Sequence, residues 1–450
     1  MNDTIAAQAT APGEGGVAIL RISGENSVPI LLQLFRPAGR KTVMPPPSHL
    51  MVYGHIMDGE EIIDECMAVL MRAPRSYTRE DVVEFQVHGG SSVAQRVLAL
   101  CLREGARLAE PGEFTRRAFL NGRIDLSQAE AVMQLIEARG ESARREAMRQ
   151  LSGGTASFIR TCADQLYAIQ AGLAACIDYP EEISENEAIP AMEADIQRLI
   201  QTLLDACQEK AARMIREGLH VVLCGRPNVG KSSLFNALLG EEKAIVTQIP
   251  GTTRDRVEGT MHLDGCLISL TDTAGLRDTD DPVESIGVSR ARKALMEADL
   301  RLMVIDSSMP LSEEDHALLH DLPAENTLLL LNKQDLPAVT DISILQTVLP
   351  GAEILAISAL TPETLAPLKA KLLAKARVTD HLALTLPRHL DAARRAAQAL
   401  QNALDTLHST SLDMCTLDLD AAQSALAEIT GDQVEESLLD RVFSTFCVGK

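Results

Sequence analysis

A phosphate-binding loop is predicted by eight consecutive residues, Gly225-Arg226-Pro227-Asn228-Val229-Gly230-Lys231-Ser232. In such a loop the backbone N–H groups point inward at a helix N-terminus, where they surround the β- and γ-phosphates of a nucleotide. We expect Lys231 to contact the β/γ oxygens and the Ser232 hydroxyl to hold Mg²⁺. The first chemistry that the sequence indicates is therefore nucleotide binding.

Three later segments carry the other parts of a GTPase, in the order that the mechanism needs. Asp272-Thr273-Ala274-Gly275 ends a strand-like run, so its aspartate can hold the Mg²⁺ water shell and its glycine N–H can reach the γ-phosphate. The aspartate of Asn332-Lys333-Gln334-Asp335 can accept both N–H donors on the Watson–Crick edge of guanine, and Ser358-Ala359-Leu360 can offer a backbone N–H to the guanine oxygen. These segments predict GTP as the substrate.

A first switch is predicted at Gly251-Thr252-Thr253-Arg254-Asp255, where Thr253 is the natural second ligand for Mg²⁺. The residue after Gly275 is Leu276, which cannot orient an attacking water as a glutamine would. Asn228 could instead offer an oxygen to a monovalent cation that bridges the phosphates; alternatively, it satisfies backbone groups of its own loop. Glu284 could orient the water through an intermediate.

Five nearly continuous apolar runs are expected to position these residues as parallel strands covered on both faces. They are Val221–Cys224, Leu267–Thr271, Leu300–Ile305, Thr327–Leu331 and Glu353–Ile357. Helical stretches alternate with them, which predicts a doubly wound α/β domain that binds its ligand at the carboxyl ends of the strands.

The rest of the chain has two other patterns. Strand-like runs at Val17–Ile22 and Val82–Val87 predict an N-terminal α+β domain, whereas 125–218 and 387–429 read as helix, the former beginning at a capping box of Asp125 and Gln128. We expect a multidomain α/β protein in which an α/β domain is inserted into a helical one. The expected limits are 1–118 for the α+β domain, 119–217 and 377–450 for the helical domain, and 218–376 for the inserted domain.

Composition excludes several other classes of protein. The chain has 450 residues with 46% hydrophobic residues, which argues against disorder, and its net charge of −21 opposes a general electrostatic grip on nucleic acid. The nine cysteines form no Cys-x-x-Cys pair, so neither a disulfide framework nor a zinc site is indicated. No run is long enough for a signal peptide or a membrane span, and we expect a cytoplasmic protein.

From end to end the chain resembles the MnmE (TrmE) family of tRNA-uridine-modifying GTPases. Motifs of all three domains carry the resemblance, in the family's order. They are Asp3-Thr4-Ile5-Ala6-Ala7-Gln8-Ala9-Thr10, the segment 111–122 (PGEFTRRAFLNG), Pro250–Asp255, Asp272–Arg277 and the tail Phe446-Cys447-Val448-Gly449-Lys450.

The resemblance implies a homodimer with an N-terminal tetrahydrofolate-binding domain. It also implies partnership with the flavoprotein MnmG, with a heterotetramer expected, to add an aminomethyl or carboxymethylaminomethyl group to C5 of the wobble uridine, position 34, of certain tRNAs. The one-carbon donor would be 5-formyl- or 5,10-methylene-tetrahydrofolate. GTP hydrolysis would depend on K⁺, which takes the arginine-finger role where two GTPase domains pair.

Site residues implied by the resemblance fall into five sets. Mg²⁺ would be held by Ser232 and Thr253, and K⁺ by Asn228, Thr247, Ile249 and Thr252. Glu284, Asn228, Lys231 and Cys447 are the catalytic candidates. The folate contacts would be Arg21, Glu84, Arg123 and Lys450. The GTP contacts would be Asn228, Val229, Gly230, Lys231, Ser232, Ser233, Thr247, Gln248, Ile249, Pro250, Gly251, Thr252, Thr253, Asp272, Thr273, Ala274, Gly275, Asn332, Lys333, Gln334, Asp335, Ser358, Ala359 and Leu360.

Two of these assignments, and one further residue, leave alternatives open. Arg123 stands where the family pattern has lysine, which keeps the charge but replaces a point charge by a planar fork of donors. Cys447 could react with folate or uridine, or serve only in packing. His88 could be catalytic or a hydrogen-bonded histidine at a strand end.

Two other functions remain as alternatives. A ribosome-assembly GTPase would be expected to carry a basic RNA-binding domain after the GTPase domain, whereas the segment 417–428 here is helical in pattern and contains several acids. A folate-dependent transferase with a purely regulatory GTPase domain is opposed by the retention of every nucleotide motif.

Overall fold

A computed structural model of the chain describes residues 3–39, 42–182, 185–240, 257–272, 293–377, 383–409 and 412–450. The chain forms two compact units. The first unit contains Met1–Ile136, Arg149–Leu203 and Ala392–Lys450, and the second contains Glu137–Met148 and Leu204–Asp391. Both units are discontinuous in sequence, and the domain limits expected above remain a prediction.

A seven-stranded sheet organises the first unit. Its strands are β1 (Ile5–Gln8), β2 (Val17–Ser23), β3 (Phe35–Pro37), β4 (Met51–Asp58), β5 (Glu61–Met71), β6 (Val82–His88) and β7 (Arg107–Leu108). The order is β3-β4-β5-β6-β2-β1-β7, and every pair is antiparallel except the parallel pair of β1 and β7. The two strands expected from sequence, β2 and β6, are neighbours near the middle.

Side chains alternate between the two faces of this sheet. Leu20 and Ile22 of β2 and Phe85 of β6 lie in a core that also contains residues of helices α1 (Ser27–Leu34) and α2 (Ser91–Arg103). Arg21 lies between Leu20 and Ile22, and therefore points to the other face, as does its cross-strand partner Glu84. Helices α1 and α2 thus cover one face of the sheet, and on the other face Ile5 and Ala7 of β1 cluster with the buried Phe114.

Helices account for most of the remaining chain. They are α3 (Glu113–Leu120), α4 (Leu126–Glu137), α5 (Glu141–Leu151), α6 (Gly154–Asp178), α7 (Glu185–Ala206), α8 (Glu209–Glu217), α13 (Pro387–Ser409), α14 (Leu412–Thr430) and α15 (Glu436–Ser444). The capping box before α4 is confirmed: the Gln128 N–H donates to Asp125 Oδ1 and the Asp125 N–H donates to Gln128 Oε1, both at 3.0 Å. No helix in the described ranges is long and apolar enough to cross a membrane.

A six-stranded sheet organises the second unit. Its strands are β8 (Leu219–Cys224), β9 (Val257–Leu263), β10 (Cys266–Asp272), β11 (Leu300–Asp306), β12 (Thr327–Asn332) and β13 (Glu353–Ala356), in the order β13-β12-β11-β8-β10-β9. The five strands expected from sequence are present within two residues at each end, and they pair in parallel.

The sequence analysis missed β9, which pairs antiparallel with β10 at the edge of the sheet. Its residues alternate apolar and polar, as an edge strand does, instead of forming a continuous apolar run. Asp264-Gly265 connects β9 to β10, and its φ values of 48° and 79° are those of the left-handed turn that closes a β-hairpin with a two-residue loop. The five expected parallel strands are therefore extended at this edge by one antiparallel strand.

Both faces of the second sheet are buried. Leu302 and Val304 of β11 belong to one core, and Met303 and Ile305 of the same strand belong to another. The helices that accompany this sheet are α9 (Lys231–Gly240), α10 (Glu313–Asp321), α11 (Ile342–Val348) and α12 (Ala366–Ala376). Two cores on opposite faces are what a doubly wound sheet requires. Because β8, β10, β11, β12 and β13 pair in parallel, their carboxyl ends lie at one edge of the sheet.

Candidate functional site

The phosphate loop connects β8 to α9 through a backbone that an L-residue seldom adopts. Gly225 and Gly230 have φ of 137° and 99°, and a Cβ at either position would collide with Val304 O or Asn332 Nδ2. Asn228 has φ of 63°, a left-handed conformation that asparagine tolerates better than most residues. This geometry gives Asn228 a conformational role in the loop, and its role as a cation ligand remains a prediction.

Lys231 begins α9 and is only 5% exposed. Its Nζ donates to the carbonyl oxygens of Gly225 at 2.9 Å and Arg226 at 2.8 Å. The ammonium is thereby held over the concave side of the loop by the first residues of the same loop. This is the position from which it can meet phosphate oxygens.

Ser232 and Asp272 meet as expected for a magnesium site. The Ser232 hydroxyl donates to Asp272 Oδ2 at 3.1 Å, and Asp272 is 2% exposed at the end of β10. A hydroxyl beside a carboxylate is a pair of hard oxygen donors, which suits Mg²⁺ and its water shell. The donor set therefore fits the ion that the sequence predicts.

Asn332 at the end of β12 joins three of the predicted segments. Its Nδ2 donates to Val229 O of the phosphate loop at 2.8 Å, and its Oδ1 accepts from the Ala359 N–H at 3.0 Å. Because Asn332 is 2% exposed, both bonds are shielded from water. One buried amide thus ties the phosphate loop to the two segments expected to recognise guanine.

Asp335 is exposed and lies beside Ser358. The Ser358 hydroxyl donates to Asp335 Oδ1 at 2.6 Å and accepts from the Leu360 N–H at 3.3 Å. The Ser358 hydroxyl thus fixes one oxygen of an exposed carboxylate. The structure therefore brings together the three segments that the sequence assigns to the nucleotide.

Asp306 is a residue of this site that the sequence analysis missed. It is 5% exposed at the end of β11; its Oδ2 accepts from Lys333 Nζ at 2.7 Å and its Oδ1 from the Ser308 N–H and hydroxyl. Burial raises the pKa of the Asp306 carboxyl, but the Lys333 ammonium and Ser308 outweigh it and hold the pKa below its ordinary value. Its place at the end of a buried strand, like that of Asp272, is the signal that could have identified it.

Lys333 has φ of 66°, a left-handed conformation, and its ammonium group is held by Asp306.

Several predicted site residues lie outside the described residues: Thr247, Gln248, Ile249, Pro250, Gly251, Thr252, Thr253, Thr273, Ala274, Gly275 and Glu284, together with Leu276.

A second group of predicted residues meets on the face of the first sheet opposite α1 and α2. Arg21 and Glu84 are cross-strand partners, and Arg21 Nε donates to Glu84 Oε1 at 2.7 Å. Arg21 also donates to Gly449 O at 3.3 Å. Both side chains are largely buried, at 18% and 15% exposure, so the pair holds its geometry better than a surface ion pair would.

Aromatic rings surround this pair. The Arg21 guanidinium lies 5.9 Å from the centre of the Tyr77 ring and 5.6 Å from that of Phe114, and the Arg123 guanidinium lies 4.7 Å from the Tyr77 ring. We call Arg21, Tyr77, Glu84, Phe114 and Arg123 the Tyr77 cluster. Tyr77 and Phe114 were not expected from sequence; PGEFTRRAFLNG contains Phe114 but gives no sign of what it packs against.

The C-terminal tail docks beside the Tyr77 cluster. Val448 forms a β-bridge with Pro111, and the Phe114 N–H donates to Lys450 O at 3.1 Å. Gly449 has φ of 95°, and a Cβ there would collide with the Gln8 carbonyl oxygen. The tail therefore brings Lys450 to the other predicted folate residues through its backbone, and the Lys450 side chain is half-buried there.

The structure places Cys447 and His88 in different surroundings. Cys447 is exposed, and its carbonyl oxygen accepts from the Gly112 N–H at 3.3 Å. His88 is exposed at the end of β6, where Nδ1 lies 2.7 Å from Asp64 Oδ1; that hydrogen bond raises the pKa of His88. His88 is thus the hydrogen-bonded strand-end histidine that was one of the two alternatives.

Two protein families match the chain in adjoining regions. Residues 4–123 match the N-terminal domain of the GTP-binding protein TrmE, and residues 126–447 match the MnmE helical domain. A tRNA modification GTPase MnmE from Enterococcus faecalis is 44% identical over 464 residues, covering 100% of this chain and 98% of the relative. The chain belongs to the MnmE (TrmE) family of tRNA modification GTPases.

Other MnmE proteins are as similar. Those of Heliobacterium modesticaldum and Clostridioides difficile are 45% and 42% identical, each over the full length of both chains. Among solved structures, the G domain of the T. maritima FeoB iron transporter is 34% identical over 35% of this chain and 99% of its own, with a TM-score of 0.28. Family membership confirms the sequence-based identification of a GTPase in tRNA modification, and it disfavours the ribosome-assembly alternative.

Proposed function

We propose that the chain is a K⁺-dependent GTPase that acts with MnmG on the wobble uridine of tRNA. The nucleotide-binding part of this proposal rests on the buried amide of Asn332, which bridges three motifs. Through it, Lys231, the pair of Ser232 and Asp272, and the Asp335 carboxylate belong to one connected site. Such a site would cradle phosphates at one end and read guanine at the other.

The two proposed ions, Mg²⁺ and K⁺, rest on the oxygen donor groups of the residues expected to bind them. Mg²⁺ would be held by Ser232 and Thr253, with Asp272 ordering its water shell, and it would neutralise charge developing on the β- and γ-phosphates. K⁺ would be held by Asn228 together with Thr247, Ile249 and Thr252. A cation at this place would supply the charge that an arginine finger supplies elsewhere, and Glu284 would position the water that Leu276 cannot.

The folate half rests on the Tyr77 cluster. A pterin ring offers amino and ring N–H donors, which a carboxylate such as Glu84 accepts, and it has a flat face for stacking against Tyr77 or a guanidinium. Arg21 orients Glu84 through a bond of 2.7 Å. The chemistry of these side chains fits a tetrahydrofolate, which would supply a one-carbon unit; Arg123 and the tail with Lys450 would close the site, and Cys447 would lie near it.

The partners follow from the family. The relatives are tRNA modification GTPases by name, which supports tRNA as the substrate. We propose a homodimer whose GTPase domains meet during hydrolysis, joined to MnmG in a heterotetramer in the cytoplasm. Its product would be a carboxymethylaminomethyl or aminomethyl group on C5 of uridine 34.

GTP turnover in KCl and in NaCl tests the cation. We expect strong stimulation by K⁺ in the wild type and loss of that stimulation in Asn228→Gly. Glycine tolerates the left-handed backbone that Asn228 adopts, so this variant removes the carboxamide side chain, and with it the oxygen, without straining the loop. It should bind GDP as the wild type does, and equal rates in the two salts for the wild type would remove the cation proposal.

Nucleoside analysis of tRNA tests the overall function. Cells that lack the protein should lose the C5 modification at the wobble position and regain it with the wild-type chain. An unchanged nucleoside profile would contradict the proposed substrate. Equilibrium binding of 5-formyltetrahydrofolate to the wild type and to Glu84→Gln tests the folate half separately, because only the variant should fail to bind.

A further inference from the structure

Two turns beside the Tyr77 cluster are clamped together by reciprocal bonds. From one turn, Arg79 donates to Asn121 O at 2.9 Å; from the other, Asn121 Nδ2 donates to Thr78 O at 2.6 Å and Arg123 donates to Tyr77 O at 3.2 Å. The clamp also fixes Arg79 with φ of 60°, in the left-handed region. Both arginine side chains are therefore oriented by the backbone of the opposite turn.

Neutral carbonyl groups hold these two arginines, and they leave the positive charges uncompensated. Within the part of the chain that the structure describes, neither Arg79 nor Arg123 forms an ion pair with a carboxylate, whereas Arg21 is paired with Glu84. Both side chains are exposed. Two exposed cations on turns that are bonded to each other attract anions, and a ligand with several carboxylates can pair with both.

We propose that Arg79 and Arg123 form a subsite for the carboxylates of a γ-linked oligoglutamate tail. This inference rests on the proposed folate site and specifies which form of the ligand that site takes. A tetrahydrofolate with its ring at the half-buried pair of Arg21 and Glu84 would have its glutamate end toward solvent, past the Tyr77 ring that Arg123 covers. Each further glutamate adds a carboxylate, and Arg79 is an exposed cation on the turn that is bonded to the turn of Arg123.

The guanidinium group suits this ligand. It presents a planar fork of N–H donors that matches a carboxylate, and only one nitrogen of each arginine is used by the clamp. Because both side chains are exposed, salt screens the attraction. Binding of a tail should therefore weaken as the salt concentration rises, more than binding of the ring does.

Equilibrium binding of two probes tests the subsite: 5-formyltetrahydrofolate carrying one glutamate and the same compound carrying three. The full chain should bind the triglutamate about three- to tenfold more tightly than the monoglutamate. Arg79→Gln keeps an N–H donor for Asn121 O and removes the charge, so it should abolish this preference while leaving monoglutamate binding unchanged. Arg79→Lys should restore part of it.

Arg36→Ala is the matched control, because Arg36 is also exposed and also donates to one backbone carbonyl, that of Leu32 at 3.1 Å. It should keep the full preference for the triglutamate. Equal affinity of the wild type for both probes, or a preference that survives in Arg79→Gln, would overturn the subsite and leave the folate proposal standing. Failure to bind either probe would overturn both proposals, and weaker tRNA binding by Arg79→Gln with unchanged tail preference would assign the charges to nucleic acid instead.

Discussion

The phosphate loop and the Tyr77 cluster each position a cation, but over very different distances along the chain. Lys231 is held by carbonyl groups five and six residues away, in the turn that precedes it. Arg21 is held by a carboxylate 63 residues away and by a carbonyl group 428 residues away. A short segment can form the loop once its strand and helix are in place, whereas the cluster needs the fold of the first unit to be complete.

This difference predicts that substitutions in the loop affect chemistry, and that substitutions in the cluster couple ligand binding to local stability. The largest effect is expected for Lys231→Ala. It removes the ammonium group that would meet the β/γ oxygens, and GTP turnover should fall by about a hundredfold or more.

The melting temperature of Lys231→Ala, measured by circular dichroism, should equal that of the wild type, because the two lost hydrogen bonds are local. Lys371→Ala is the control: Lys371 pairs with Glu353 at 2.8 Å on the surface of the second unit, and its loss should leave turnover unchanged. Full turnover in Lys231→Ala would contradict the assignment of the phosphate loop.

The next effect is expected for Asp306→Asn, which removes the carboxylate that holds Lys333. A hydrogen bond between charged groups contributes about 1.5–3 kcal/mol, so the Kd for GDP should rise about tenfold or more if Lys333 positions the guanine segment. Fluorescence titration with a labelled GDP measures this.

Asp341→Asn is the matched control for Asp306. Asp341 is an exposed carboxylate that caps α11 through the Ser343 N–H at 2.9 Å. Asparagine caps a helix about as well as aspartate, so Asp341→Asn should keep both its helix stability and its nucleotide affinity. An equal change in Kd for both variants would show that Asp306 has no positioning role.

A smaller effect is expected for Gly449→Ala, which tests the dependence of the cluster on distant residues. A Cβ would collide with the Gln8 carbonyl oxygen and would occupy a backbone region that costs about 1–3 kcal/mol. The tail should detach, and hydrogen exchange at 446–450 should quicken while 5-formyltetrahydrofolate binds more weakly. Gly59→Ala has a comparable φ of 63° but open space around its Cβ, and it should leave both measurements unchanged.

The smallest effect concerns His88, at the end of β6 in the first sheet. Its hydrogen bond to Asp64 raises the pKa of His88 above the ordinary value of about 6.5. The protonated form is favoured in the folded state, so its contribution to stability is complete below that ordinary value and disappears as the pH rises through the raised pKa. NMR titration should show the raised pKa, and Asp64→Asn should return it toward 6.5; an unchanged pKa would contradict the contact.

The nucleotide site was largely predictable because its residues come in contiguous motifs at the ends of apolar strands. Ser232, Asp272, Asn332 and Asp335 all lie where that pattern places them. Asp306 was missed because it stands alone, and β9 was missed because an edge strand lacks a continuous apolar run. The Tyr77 cluster could not be read from spacing, since Tyr77 and Gly449 reach Arg21 only through long-range packing.

The docking of the tail against the first sheet also sets an order of events during synthesis. At about 5–20 residues per second, the ribosome makes Gly449 roughly 20–90 s after Arg21, from which it is separated by 428 residues. The strands that carry Arg21 and Glu84 can pair long before the tail exists. The nascent sheet therefore forms before the tail can dock, and a chain stopped before residue 449 would have a paired sheet but an incomplete proposed folate site.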